Sequence, residues 1–259
     1  MRDGDCFVIA RFLASPAARA RWDGPAKKPS STNALRSSLR GFFHYLHEGG
    51  MIRTDPTRLV RRALASAPPP RALSQSDQDR LSAAMATASS PAARRDAALF
   101  SLMLRSGIRV GSALALDIED VDLDDGSLRL RSAKGGRHER VILSAKARDE
   151  LREWIGGRIS GPLFPSRDGE RLSRRHVHRR FTAWLARAGI MRSASPHSLR
   201  HSFATDFYRR TGDLLLTQAA LHHRSVASTL VYARIDEQRL RAALESSDQS
   251  GDSNRQRSA

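Results

Sequence analysis

The stretch SPHSLRHSFATDF, residues 195–207, combines a helix start with three basic side chains. Ser195 is a capping type, and Pro196 suits a first turn, where a missing N–H costs nothing. His197 and Arg200 are three residues apart and share a helix face. Cations at that end oppose the helix macrodipole, so two of them make sense where an anion fills the site. The plainer alternative is a capped helix that happens to carry a histidine and an arginine. His197 and His201 also have the i, i+4 spacing of zinc ligands. No zincin-type glutamate stands between them, and no cysteine or carboxylate cluster lies nearby, so no metal is expected.

Three further stretches carry reactive side chains. In LRSGIRVGSALAL, Arg109 lies between two apolar segments and is expected to be part-buried. Such a guanidinium keeps its charge and needs a partner. Asp117 or Glu119 would serve, and so would a phosphate, which the guanidinium fork fits bidentately. In AKGGRHER, Lys134 stands at a turn, in a chain whose only lysines are Lys27, Lys28, Lys134 and Lys146. Lysine can hand over a proton where arginine is locked in its charged form; an ordinary solvated turn lysine is the bland reading. In LHHRSVASTLVYARID, His223 and Tyr232 flank one short helix with Ser225 as its cap. Tyr232 reads as a core aromatic or as a hydroxyl held for chemistry, since Val226, Leu230 and Val231 already give that helix a packing face.

The elements around these residues predict a mainly α fold with a small β-sheet, an α+β class. SLRLRSAKGGRHERVIL alternates on both sides of a Gly-Gly turn and reads as a β-hairpin. A helix follows the cap SQSD and runs to about Ala86. DAALFSLMLRSG gives another, with Leu99, Phe100, Leu102 and Met103 apolar and Gly107 as its stop; a short helix holds Leu114 and Leu116. Further helices are predicted at about 145–156, 173–188, 197–210, 213–221, 225–232 and 236–246. The prolines Pro68, Pro69 and Pro70 exclude a continuing helix and mark a linker, residues 68–73. Residues 1–67 then form a small helical domain and 74–246 a larger one, with a polar tail at 247–259 expected to be disordered. In the small domain, STNALRSSLRGFFHYLHEGG places Leu35, Leu39, Phe42, Phe43 and Leu46 on one stripe, with Ser31 or Thr32 as cap and Gly49 as stop. Arg36 and Arg40 lie off that stripe, and residues 22–32 read as a loop.

The chain has 259 residues, 44 Lys and Arg against 27 Asp and Glu, and a formal net charge of +17. Such a balance suits a partner rich in phosphate or another acidic surface. The arginine skew also fits a G+C-rich coding bias alone. Cys6 is the single cysteine, which excludes an intramolecular disulfide and a thiolate zinc cluster. No apolar run reaches the roughly 18 residues of a membrane span. CFVIARFL is too short for a signal peptide and lacks its flanks, so a cytoplasmic, prokaryotic setting is expected.

Taken together, these stretches resemble the tyrosine recombinase (phage integrase) family, in particular its Xer-like bacterial members. The resemblance covers about Ser74 to Ser246, and more weakly Asn33 to Pro70. The family order Arg…Lys…His-x-x-Arg…His…Tyr is met by Arg109, Lys134, His197, Arg200, His223 and Tyr232. It implies a helical DNA-binding domain (core-binding, SAM-like) at 1–67 and a catalytic domain at 74–246. It further implies that Tyr232 attacks a DNA phosphate to form a 3′-phosphotyrosyl link. His197 would be its base, Arg109 and Arg200 would clamp the non-bridging oxygens, His223 would add a hydrogen bond, and Lys134 would protonate the departing 5′-oxygen. No cofactor is implied. Two departures stand out: Ser112 replaces the family's glutamate, and His222 replaces the glycine of Leu-Gly-His. The N-terminal domain is also short for the family.

The same resemblance implies double-stranded DNA as partner, gripped by a C-shaped clamp. It implies a homotetramer on paired sites, with a second recombinase as an alternative partner, and no membrane. SRRHVHRRF puts Arg174, Arg175, His178 and Arg179 on a helix that packs through Val177, Phe181 and Trp184, so phosphate contacts are expected there, as at Arg36 and Arg40. A solvated basic face is the alternative. Two other functions compete: a catalytically degenerate DNA-binding architectural or regulatory protein, and a type IB topoisomerase-like enzyme.

Overall fold

The computed structural model describes residues 4–20, 24–27, 29–61, 72–130 and 139–221. The chain divides into two compact units, Met1–Pro68 and Pro69–Ala259. The first contains α1 (Gly4–Ala14), α2 (Pro16–Arg19) and α3 (Pro29–Glu48). Helix α3 begins before the expected Ser31 or Thr32 cap, because Pro29 brings a preset φ to the first turn. Its apolar stripe is less covered than the pattern suggests. Phe42 is 56% exposed, and Leu35, Leu39, Phe43 and Leu46 are only half-buried. The side chains fully buried in this unit, Leu13, Ala18 and Thr57 among them, lie outside α3. A unit of this size has too little chain to cover a twenty-residue helix on every side.

The second unit runs α4 (Gln75–Ala86), α5 (Pro91–Ser106), α6 (Val110–Ala115), β1 (Val121–Asp122), β2 (Ser127–Leu130), β3 (Glu139–Ile142), α7 (Ala145–Ile155), α8 (Arg174–Arg187), α9 (Pro196–Thr211) and α10 (Leu214–Ala220). Helix α5 is its axis and touches α4, α6, α7, α8 and α9. A helix surrounded in this way must be apolar on most sides, and Leu99, Phe100, Leu102 and Met103 are all buried. Phe100 meets Phe181 of α8 edge-on, with ring centroids 5.1 Å apart. Four helices start alike. The hydroxyls of Ser74, Ser90, Ser144 and Ser173 accept from the backbone N–H three residues on, each cap being worth about 1 kcal/mol.

The predicted hairpin is β2 and β3, antiparallel, with Leu128 opposite Val141 and both buried. Strand β1 pairs with β2 in the order β1-β2-β3; at two residues it is too short to show alternation. The segment 131–138, which carries Lys134, lies outside the described residues. So do the helices predicted at 225–232 and 236–246, the tail, and the linker up to 71. Leu116, expected in a helix, is instead extended at the C-cap of α6. There its backbone exchanges with the 161–163 segment: Leu163 donates to the Leu116 carbonyl at 3.0 Å. No described helix is long and apolar enough to cross a membrane.

Candidate active site

The site begins where α5 ends. Gly107 caps the helix with φ at 65°, and its N–H donates to the Met103 carbonyl. Only glycine fits: a Cβ here would stand 2.4 Å from the ring of Phe203 on α9. The chain then buries Ile108 and turns Arg109 outward as the N-cap residue of α6. From α9, the buried guanidinium of Arg200 donates to the Gly107 carbonyl and, at 2.6 Å, to the Leu221 carbonyl. One side chain thus ties the end of α5 to the end of α10. Leu221 is the residue from which the chain enters the stretch carrying His223 and Tyr232.

His197 lies one turn before Arg200, edge-on to His201 with ring centroids 4.6 Å apart. Lost solvation, then the positive charges of Arg200 and Arg109, hold its pKa below the usual 6.5. His201 is pushed down to about 4 by lost solvation, then by His197 and Arg200. Both rings are therefore neutral at neutral pH, and His197 has a lone pair for an incoming proton. Ser195 is the N-cap of α9, as expected, in a capping box with Ser198, whose hydroxyl accepts from the Ser195 N–H at 3.2 Å, and Pro196 takes the first turn.

The structure brings Arg109, His197 and Arg200 to one place. Lys134, His223 and Tyr232 lie outside the described residues. Arg109 is exposed rather than part-buried, because Ile108 takes the inward position. Neither proposed carboxylate serves it: Asp117 pairs with Arg171 at 2.6 Å, and Glu119 is exposed. Among the described residues Arg109 has no hydrogen-bond or ion-pair partner. No group of three or more potential metal ligands occurs among the described residues.

A family model described as the phage integrase family matches residues 71–239. The chain belongs to the phage integrase family. Tyrosine recombinase XerC of Chromobacterium violaceum is 35% identical over 208 residues, which is 79% of this chain and 69% of that protein. Tyrosine recombinase XerD of Pseudomonas putida is 34% identical over 221 residues, 82% and 74% of the two chains. Among solved structures, the XerH site-specific recombinase bound to difH substrate aligns with a TM-score of 0.67 at 23% identity, covering 90% of this chain and 68% of that one. A lambda integrase dimer bound to a COC′ core site aligns with a TM-score of 0.62 at 21% identity, over 88% and 64%. The protein is a tyrosine recombinase of the Xer type, a site-specific DNA recombinase.

The recombinase presents Arg174, Arg175, His178 and Arg179 as exposed side chains on the first turns of α8, while Val177, Phe181, Trp184 and Leu185 are buried. What holds α8 at this attitude is Asp96 of α5, which is 1% exposed. Its carboxylate accepts from Arg95 at 2.8 Å, from Arg180 Nε at 2.5 Å and from Trp184 Nε1 at 3.2 Å. Sequence reasoning missed this anchor. Its signal was a carboxylate three and four residues before Leu99 and Phe100, on the apolar face itself. In the first unit, Arg40 is exposed, as expected. Arg36 is instead half-buried and lines a cavity of about 450 Å³ with Leu13, Arg19, Leu59 and Val60. It donates to Asn33 Oδ1, and its Nε is buried without a partner among the described residues.

Proposed function

We propose that the recombinase cuts and rejoins duplex DNA by transesterification at Tyr232, with Arg109, His197 and Arg200 gathered on the scissile phosphate. The observation that carries this reading is the convergence of Arg109, His197 and Arg200 where Arg200 of α9 ties onto the end of α5, close enough for both guanidiniums to act on the His197 ring. A free phenol has a pKa of about 10, so waiting for its anion at neutral pH costs about 4 kcal/mol. His197 removes that wait by taking the phenolic proton as the Tyr232 oxygen attacks phosphorus. The new O–P bond replaces the bond to the 5′-oxygen, and Lys134 gives that oxygen its proton. Arg109 and Arg200, with His223, hold the non-bridging oxygens as charge builds, and loss of one such donor costs about 10²–10³ in rate. The reverse attack by a 5′-hydroxyl restores the diester without ATP.

The partner is double-stranded DNA in the cytoplasm. The second unit grips it through α8 and the first, residues 1–67, through Arg40 and its neighbours. A homotetramer on paired sites does the exchange, alone or with a second recombinase. The XerH complex, solved on its difH substrate, supports the DNA partner. A nicked duplex carrying the site, which traps the covalent adduct, tests the reading. Tyr232→Phe is expected to bind normally and form no adduct. A wild-type chain that binds and forms no adduct would favour the degenerate architectural protein that Ser112 suggests. Relaxation of any supercoiled plasmid by the monomer would favour the topoisomerase.

A further inference from the structure

Gly111, in the first turn of α6, has a guanidinium across the place where its side chain would be. A Cβ there would stand 2.6 Å from Nη2 of Arg174, 3.2 Å from its Cζ and 3.3 Å from its Nε. Gly111 is not needed for its backbone, since it is not among the glycines with positive φ. A glycine inside a helix weakens it relative to alanine, so it persists here for another reason, and close approach is the usual one. Arg174, the first residue of α8, is exposed and has no hydrogen-bond or ion-pair partner among the described residues. The same holds for Arg109, two residues before Gly111. Two guanidiniums thus meet the first turn of α6 with no carboxylate to neutralise either.

We propose that Gly111 is the seat of Arg174, placing that guanidinium beside the Arg109 end of α6, where it binds a backbone phosphate neighbouring the one being cleaved. The proposal rests on the DNA-binding reading above. Arg174 contacts the DNA, and Gly111 is a positioning residue that acts only through it. A methyl group at 111 meets the free end of a flexible side chain, so it displaces Arg174 and leaves the backbone where it is. Alanine also favours helix more than glycine does. Gly111→Ala should therefore leave thermal stability unchanged or raised while weakening the grip on DNA, a pair of effects that a merely structural glycine would not produce.

The test is a double-mutant cycle on the full chain, with noncovalent binding to a short labelled duplex read across a salt series. Arg174→Ala should lower the slope of log affinity against log salt by about one phosphate's worth. Gly111→Ala should weaken binding by about 3- to 10-fold in the wild-type background and by less than about 2-fold when Arg174 is already alanine. Equal weakening in both backgrounds would overturn the seat. So would an unchanged salt slope in Arg174→Ala, or a loss of binding in Gly111→Ala that tracks a lowered melting temperature. The cycle needs no cleavage. A wild type that forms no adduct on the nicked duplex would refute the transesterification reading and leave the cycle readable.

Discussion

At the scale of single residues, lost solvation and neighbouring positive charge hold the imidazoles of His197 and His201 below the usual histidine pKa. For His201, with a folded pKa near 4 against about 6.5 in the unfolded chain, the sign follows directly. Between those values the unfolded chain binds more protons, so stability is fully present above about 6.5 and is lost as pH falls toward 4. Urea midpoints should drop across that window, and His201→Gln should flatten the drop. His197 shifts in the same direction. The acid limb of cleavage at sub-saturating DNA, which reports the free enzyme, should therefore lie below that of an ordinary histidine. Gly107→Ala should cost about 2 kcal/mol or more in urea unfolding, through positive φ and the collision with Phe203. The place of His197 and Arg200 in the first turns of α9 was legible from the cap, the proline and their spacing. The exposure of Arg109 was not, since two apolar neighbours do not say which residue of the connecting turn faces inward. Gly107 read as a helix stop, and nothing in sequence showed that Phe203 presses on it.

At the scale of elements, α8 is aimed by one buried carboxylate. Asp96→Ala leaves Arg95 and Arg180 without their counter-charge, and breaking a buried pair from one side costs about 3–5 kcal/mol. Denaturant unfolding should show that loss. Because Asp96 sets the attitude of the helix that carries Arg174 and Arg175, DNA binding should weaken under conditions where the variant is still folded. The strongly periodic elements were legible close to their true limits: the hairpin from alternation, α4 from its serine cap, and α7, α8 and α9 from apolar spacing, whereas α5 starts at Pro91, five residues before the stretch whose pattern announced it. Elements held by partners distant in sequence were not. Leu116 is extended because its carbonyl accepts from Leu163, 47 residues further along the chain. The stripe of α3 promised more burial than its small unit delivers.

At the scale of the whole molecule, the charge of +17 sets how the protein meets DNA. If it neutralises roughly six to ten phosphates, affinity should fall by about 10³–10⁵ between about 50 and 200 mM salt, measured by fluorescence anisotropy. A slope near zero would mean the arginines are paired internally. The composition pointed to phosphate, but its arginine skew had a second explanation in coding bias. The ordered set of six motif residues, rather than charge, made the family readable, and only three of the six fall where the structure describes them. Those three converge where α5 ends and α9 begins. The most direct measurement is to locate the DNA-linked residue after trapping on a nicked duplex, by mass spectrometry of the digested adduct. The chain has three tyrosines, Tyr45, Tyr208 and Tyr232. The account predicts a phosphonucleotide on Tyr232 alone; a link to Tyr45, Tyr208 or any serine would contradict it.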